Sequence, residues 1–179
     1  MSSLRRVVKS LIPTGLFRRI EPYGHLLEAV VMNIRYGFPA RDMHVIGVTG
    51  TNGKTTTSFM IHRMLVEAGY DVALMSTVAN GVGHDITPQA QHMTTVSRPE
   101  LLKKIRQFKK QGAKWLVLET TSHALAQHRI WGVPYEIAVM TNVTHEHLDY
   151  HRTFENYVHA KAQLFRIANR HGRRFGVVN

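Results

Sequence analysis

From Met43 onward, short apolar runs alternate along the chain with longer stretches in which apolar residues recur every three or four positions. The short runs predict β-strands and the longer stretches predict α-helices. The predicted strands are His44–Thr49, Asp71–Ser76, Lys114–Glu119, Glu136–Thr141 and Arg174–Val178, and the predicted helices are Lys54–Ala68, Arg98–Gln111 and Phe154–Asn169. Strands separated by helices are typical of an α/β fold, so we expect a mostly parallel sheet with helices on both faces.

The first 40 residues have a different pattern. Apolar residues recur at helical spacing beside basic ones, at Leu4, Val7, Val8 and Leu11. Pro13 and Gly15 are predicted to interrupt this helical pattern. A second helix is predicted from about Tyr23 to Tyr36. The sequence leaves two interpretations open, a helical lead-in with a solvated basic face or a basic amphipathic segment, residues 1–20, that contacts an anionic membrane or a partner. We therefore divide the chain into a helical N-terminal segment, residues 1–40, and one domain, residues 41–179.

Charge and composition limit the classes of binding partner that we expect, but they do not identify a single one. The chain of 179 residues has 23 Lys and Arg against 12 Asp and Glu, a net charge of +11 that suits nucleotides, sugar phosphates, nucleic acid or a membrane surface. It has no cysteine, which excludes disulfides and thiolate metal sites. No apolar run approaches the roughly 20 residues that span a bilayer, and we expect a cytoplasmic location.

The turn between the first strand and the first helix has the composition of a phosphate-binding loop. Free N–H groups at a helix N-terminus attract an anion, glycines allow the backbone to approach it, lysine adds a positive charge, and a threonine hydroxyl can bind Mg²⁺. The residues that we expect to bind the nucleotide are Gly50, Thr51, Asn52, Gly53, Lys54, Thr55 and Thr56. The general P-loop pattern has a further glycine where this chain has Val48, and an ordinary glycine turn is the alternative.

Two later strands end in polar clusters that are expected at the same edge of the sheet, because ligands of parallel sheets bind at the C-terminal ends of the strands. Glu119 ends the third predicted strand and is a candidate ligand for Mg²⁺, although a solvated glutamate is the alternative. His147 and His151 are four residues apart but do not form the His-Glu-x-x-His pattern of zinc hydrolases. A single histidine that contacts the metal of a nucleotide is the favoured interpretation.

Lys161 interrupts the apolar stripe of the last predicted helix. That stripe comprises Phe154, Tyr157, Val158, Leu164, Phe165 and Ala168. A solvated lysine belongs on the opposite face of such a helix. A side chain that reaches solvent from the edge of the stripe is the alternative.

Four motifs together resemble the Mur ligases, ATP-dependent enzymes that build the peptide of peptidoglycan, and most closely their MurE-like branch. Gly50–Thr56 is similar to the family's phosphate loop, which explains the missing glycine. Glu119–His123 and Thr141–His151 are similar to two further motifs, with Glu146 in place of the usual aspartate. Ala160–Phe165 is similar to the segment whose lysine is carbamylated in the family. The resemblance covers about residues 44–179.

The resemblance implies a ligase that uses ATP and Mg²⁺ to add a third amino acid to a UDP-N-acetylmuramoyl dipeptide, through an acyl phosphate. It implies catalytic roles for Lys54, Glu119, His147 and Lys161, metal contacts from Thr55, Glu119, His147 and a carbamylated Lys161, and substrate contacts from Thr94, Thr95, Ser122, Gln127 and Arg129. The other partner is expected to be a diamino acid, the protein a monomer, and nucleic acid is not expected.

Three alternatives remain from the sequence. They are a nucleotide-binding module without ligase activity, a ligase similar to folylpolyglutamate synthetases, and a protein of RNA or membrane surfaces that only the charge favours. Because the usual uridine-binding and C-terminal domains of the family have no counterpart in 179 residues, we expect this chain to be a fragment or one part of a split protein.

Overall fold

The computed structural model describes residues 14–89, 97–146, 148–171 and 175–179. In this part of the chain, the structure consists of helices and one β-sheet. The helices are α1 (Thr14–Tyr36), α2 (Lys54–Glu67), α3 (Arg98–Lys110), α4 (Ser122–Ala126), α5 (Leu148–His151) and α6 (Phe154–His171). The strands are β1 (His44–Thr49), β2 (Val72–Met75), β3 (Ala79–Val82), β4 (Asp85–Pro88), β5 (Trp115–Glu119), β6 (Tyr135–Met140) and β7 (Phe175–Val178).

The sheet has seven strands in the order β4-β3-β2-β5-β1-β6-β7. The five strands from β2 to β7 in this order are parallel to their neighbours. Strand β3 pairs with β2, and β4 with β3, in antiparallel fashion. The predicted mostly parallel α/β sheet is therefore confirmed. All five predicted strands are present, with slightly different bounds.

The hairpin of β3 and β4 was not predicted. Val82 pairs with Asp85, so Gly83 and His84 form a two-residue turn, in which Gly83 has φ 58°. Positive φ at such a turn matches the right-handed twist of the flanking strands. The hairpin extends the sheet from the edge of β2 with short strands of four residues each.

Helices cover both faces of the sheet because apolar side chains alternate along the central strands. On β1, Val45 packs into the cluster that receives buried residues of α3, α4 and α6. Ile46 and Val48 point to the other face, where residues of α2 pack against them. The helices thus enclose the sheet and leave its C-terminal edge free for polar loops.

Helix α1 lies outside this layer and packs against α3. Its Ala29 and Asn33 are fully buried, and Asn33 Nδ2 donates to the carbonyl of Trp131 at 2.8 Å. The helix continues from Thr14 through Gly15, so the predicted interruption at Gly15 and restart at Tyr23 are wrong. A single glycine costs a helix only about 1 kcal/mol, which does not end it. Within the described ranges, no helix has both the length and the apolar character needed to cross a bilayer.

Gly47, in the middle of β1, is expected to tolerate no larger side chain. A Cβ atom there would lie 2.6 Å from Cδ1 of Tyr135 and 2.7 Å from Cδ1 of Leu164, which are both fully buried. We expect Gly47→Ala to lower the free energy of unfolding by about 1–3 kcal/mol, measured by urea denaturation. Gly24→Ala is the control, because a Cβ atom at Gly24 of α1 meets nothing within 4 Å and should not lower the stability. Equal unfolding curves for Gly47→Ala and wild type would contradict this packing.

Candidate active site

The loop between β1 and α2 has a backbone that depends on two glycines. Gly50 has φ 148° and Gly53 has φ 80°, conformations that other residues rarely adopt. A Cβ atom on Gly50 would overlap Oγ1 of Thr141. Gly53 is the N-cap residue of α2 and has no side chain that could cover the first N–H groups of the helix. These donors lie at the positive end of the helix dipole, where an anion is stabilised.

Two residues that follow β6 hold this loop in place. The Asn52 N–H donates to Oδ1 of Asn142 at 2.9 Å, and Nδ2 of Asn142 donates to the Asn52 carbonyl at 3.1 Å. The hydroxyl of Thr141 also donates to the Asn52 carbonyl, at 2.6 Å. The loop is therefore fixed from the neighbouring strand before any ligand binds. Lys54 lies over the same loop, and its Nζ donates to the Thr51 carbonyl at 2.7 Å.

A carboxylate and two hydroxyl groups meet beside the start of α2. Oγ1 of Thr55 donates to Oε2 of Glu119 at 3.0 Å. The backbone N–H of Thr77 donates to the same oxygen at 3.1 Å, and the Thr77 hydroxyl lies 3.3 Å from it. The alternative of a freely solvated glutamate is wrong, because Glu119 is half-buried and held by these donors. Adjacent hydroxyl and carboxylate oxygens are the hard ligands that Mg²⁺ prefers.

Lys161 points into the protein from α6. Its side chain is only 1% exposed, so the alternative of a lysine that reaches solvent is wrong. Nζ donates to the Gly50 carbonyl at 2.5 Å and lies 4.5 Å from the ring centroid of Tyr157. Burial, and then the positive charge of Lys54, lower the pKa of Lys161 to about 7, while Glu146 opposes this shift. The amine is therefore largely neutral at slightly alkaline pH.

Tyr157 connects α6 to the loop between β1 and α2. Its hydroxyl lies 3.1 Å from Oγ1 of Thr51, which also accepts the Thr144 N–H at 2.9 Å. Burial raises the pKa of Tyr157, so the phenol stays protonated. Helix α6, the loop and the segment after β6 are thus joined through one buried threonine.

The predicted substrate residues Ser122 and Gln127 lie around α4 and contact α5. Oγ of the buried Ser122 lies 3.0 Å from Nε2 of His151. Nε2 of Gln127 donates to the hydroxyl of Tyr150 at 3.0 Å. His151, to which the sequence assigned no role of its own, therefore has a polar partner in this group.

The segment that carries Gln127 and Arg129 is held by Arg98 of α3. Nη2 of Arg98 donates to the carbonyls of Gln127 at 3.1 Å and His128 at 3.3 Å, and Nη1 lies 3.2 Å from Oε2 of Glu28 on α1. The backbone of His128 has φ 50°, a conformation that costs energy for a residue with a side chain. Arg98 satisfies the carbonyls on either side of this strained position. Arg129 is half-buried beside it.

The structure brings together most, but not all, of the residues predicted for the site. Three of them, Thr94, Thr95 and His147, lie outside the described residues. The sequence analysis gave no role to Thr77, Thr141 and Asn142, although all three follow strands at this edge. Because β2 ends at Met75, the rule that placed Glu119 at the site also applies to Thr77.

The fold and the site define the class of protein. A glycine loop that opens a helix after a parallel strand, with a lysine, a threonine and a nearby carboxylate, is typical of a P-loop nucleotide-binding domain. The family described as the Mur ligase middle domain matches residues 48–179, and the chain belongs to the Mur ligase family. The resemblance stated from the four motifs is thereby confirmed.

Two relatives named UDP-N-acetylmuramoyl-L-alanyl-D-glutamate–2,6-diaminopimelate ligase show the extent of the similarity. The protein of Clostridium botulinum is 41% identical over 140 residues, which cover 78% of this chain and 29% of that protein. The protein of Geobacillus thermodenitrificans is 40% identical over 164 residues, which cover 89% of this chain and 33% of that protein. The chain thus spans about a third of the length of these relatives. Their names also support the predicted MurE-like branch.

One solved structure agrees with this assignment, and a second one shares the fold. A structure of a UDP-N-acetylmuramoyl-L-alanyl-D-glutamate–2,6-diaminopimelate ligase has a TM-score of 0.66 at 37% identity and covers 78% of this chain and 27% of its own. Escherichia coli FolC in complex with DHPP and ADP has a TM-score of 0.59 at 24% identity and covers 76% of this chain and 38% of its own. The second similarity is one of fold alone.

Proposed function

We propose that this chain is the part of an ATP-dependent ligase that binds the nucleotide and activates the carboxylate of a UDP-N-acetylmuramoyl dipeptide. We assign residues 41–179 to the nucleotide-binding domain and residues 1–40 to the segment before it, which contains α1. The observation that carries the proposal is the contact of the loop with Glu119 on one side, through Thr55, and with Lys161 on the other, through Gly50. The names of the relatives support a diamino acid, 2,6-diaminopimelate, as the acceptor amine.

The reaction has two steps. An oxygen of the terminal carboxylate of the dipeptide attacks the γ-phosphorus of ATP, and ADP leaves. The amine of the incoming amino acid then attacks the acyl carbon, phosphate leaves, and the amine loses a proton. Since two anions must be held together in the first step, positioning and electrostatic stabilisation supply most of the catalysis. Lys54 and the first N–H groups of α2 would hold the terminal phosphates.

The residues around Glu119 fit a Mg²⁺ ion. When bound, the ion would act as a Lewis acid on the phosphate oxygens. Thr55 and Glu119 would hold it, because their oxygens are 3.0 Å apart and of the type that Mg²⁺ prefers. For a second Mg²⁺ ion, the ligands that we propose are Glu119, His147 and a carbamylated Lys161.

A carbamate on Lys161 is compatible with the contacts of its amine. The lowered pKa provides the neutral amine that reacts with CO₂. After that reaction Nζ keeps one N–H, so the hydrogen bond to Gly50 can persist while the side chain gains a negative charge. The buried position beside Tyr157 excludes the water that would otherwise solvate a free ammonium group.

Substrate recognition is proposed for the group around α4. Ser122, Gln127 and Arg129, with Thr94 and Thr95, would contact the muramoyl dipeptide. Arg98 positions the loop that carries Gln127 and Arg129. It forms an ion pair with Glu28 and hydrogen bonds to the carbonyls of residues 127 and 128.

Binding of Mg-ATP tests the nucleotide site directly. We expect calorimetry to show binding by this chain, and Lys54→Ala to weaken the affinity by about tenfold or more, which corresponds to ~1.4 kcal/mol. Lys114→Ala is the control, because Lys114 is an exposed lysine paired with Asp71 at the opposite end of β5. Equal affinity of wild type and Lys54→Ala would refute the phosphate-loop assignment.

Turnover distinguishes a ligase from a module that only binds nucleotide. In a protein that contains this chain and the remaining length of its relatives, ATP hydrolysis should require the muramoyl dipeptide. Nucleotide binding without any hydrolysis that depends on the dipeptide would favour the binding module.

A further inference from the structure

Helix α1 exposes a row of large apolar side chains on its outer face. Tyr23 is 73% exposed, Leu27 66%, Val31 54% and Ile34 64%. Their spacing of four, four and three residues places them in one stripe along the helix. At 3.6 residues per turn, the buried Ala29 lies roughly 200° around the helix from Leu27, on the opposite side.

This stripe cannot turn inward, because α1 is already fixed by its other face. Ala29 and Asn33 are fully buried, and Asn33 bonds to the Trp131 carbonyl. The Glu28–Arg98 ion pair, whose arginine is 4% exposed, holds the same face. A surface helix normally presents polar residues to solvent opposite its packed face. An apolar outer face therefore indicates a further contact.

We propose that this outer stripe, Tyr23, Leu27, Val31 and Ile34, rests on the surface of an anionic lipid bilayer. The charge of the preceding sequence supports a lipid occupant. Residues 1–20 contain five Arg or Lys and no Asp or Glu, and the chain as a whole carries +11. Helices that lie in a membrane interface combine an apolar face with basic residues that attract anionic headgroups. The helix would lie along the surface.

A second copy of the chain is a poorer occupant. The stripe extends over three helical turns, about 17 Å, and has four side chains. A stable dimer buries about 800 Å² on each partner, more than four side chains on a single stripe supply. Two N-terminal segments of the same positive charge would also repel each other. An anionic surface satisfies the apolar stripe and the charge together.

Vesicle binding by this chain tests the proposal. Vesicles of phosphatidylcholine with a third of phosphatidylglycerol should bind the protein. The affinity for vesicles of phosphatidylcholine alone should be lower by about tenfold or more. The double variant Leu27→Glu with Val31→Glu should lose about tenfold or more of the affinity for the anionic vesicles. The matched control is Met60→Glu with Met64→Glu on α2, two side chains that are also four residues apart and 60% and 69% exposed. It adds the same charge elsewhere and should lose less than about threefold.

A second readout does not depend on changes in charge. Because the chain has no cysteine, Leu27→Cys and Met60→Cys can each carry a single polarity-sensitive fluorophore. Anionic vesicles should shift the emission of the probe at position 27 to shorter wavelength and leave the probe at position 60 unchanged. Both positions are exposed, so these variants should fold, which circular dichroism can verify.

Three outcomes would overturn the proposal. The first is that wild type fails to bind anionic vesicles. The second is an equal loss in the two double variants, which would mean attraction by net charge alone. The third is a dimer in sedimentation equilibrium that the Leu27→Glu, Val31→Glu variant converts to a monomer, which would identify a second copy as the occupant.

Discussion

In a ligase that contains this chain, Lys161→Ala is expected to lose most of the amide-forming activity, and added short carboxylic acids are expected to restore part of it. The wild-type amine is buried and its pKa is about 7, so it is available to attack CO₂ and release a proton at slightly alkaline pH. The proposed carbamate would place a negative charge near Lys54, which suits a metal ion. Alanine removes that group, and a small carboxylate can take its place. Lys161→Glu should retain more activity than Lys161→Ala.

The proposed carbamate can also be tested in this chain without turnover. After incubation with ¹³C-bicarbonate, wild type should show a carbamate carbon in its NMR spectrum, and Lys161→Ala should not. Lys104→Ala is the control, because burial also lowers the pKa of Lys104, yet its Nζ bonds to Oε1 of Gln89, away from the loop. The assignment fails if Lys161→Ala keeps full activity, or if its spectrum equals that of wild type.

Glu119→Gln is expected to remove most of the effect of magnesium on nucleotide binding. Mg²⁺ should raise the affinity of wild type for ATP, and this gain should fall by about tenfold or more in the variant, equivalent to ~1.4 kcal/mol. Glutamine keeps the volume of Glu119 and one oxygen for the Thr55 hydroxyl, but it lacks the negative charge that the ion requires. The measurement is an ATP titration at several Mg²⁺ concentrations.

Asp71→Asn is the matched control for this variant. Asp71 is a carboxylate paired with Lys114 at the surface, so the same change of charge there should leave the magnesium effect intact. A magnesium effect of wild-type size in Glu119→Gln would show that Glu119 does not hold the ion.

The central sheet was predictable because its signals are local. Val45, Ile46 and Val48 form an apolar run that is buried on both sides, and Gly53 with Lys54 marks the point where a helix starts. The general position of the site follows from the same elements, since parallel strands end at one edge. The helical period placed Lys161 on the apolar stripe of α6. It left open whether the side chain reaches solvent, and the structure shows that it is buried.

The parts that were missed depend on partners elsewhere in the chain. Strand β3 contains Asn80 and Gly81, which have low strand propensity, and it forms because its backbone pairs with β2 and β4. Gly83-His84 is the local signal that would have indicated the hairpin. The role of Asn142 depends on its two hydrogen bonds to Asn52, 90 residues away in the sequence, and no local pattern encodes such a distance.

The contacts of Arg98 have a mechanical consequence. One guanidinium group joins Glu28 of α1 to the carbonyls of Gln127 and His128, and Asn33 of α1 joins the same segment at Trp131. The helix that carries the outer stripe and the loop that carries Gln127 are therefore held together by the same contacts. A displacement of α1 relative to the sheet must either carry this loop with it or break the ion pair. A surface that binds α1 would thus fix the position of the loop as well as the position of the protein.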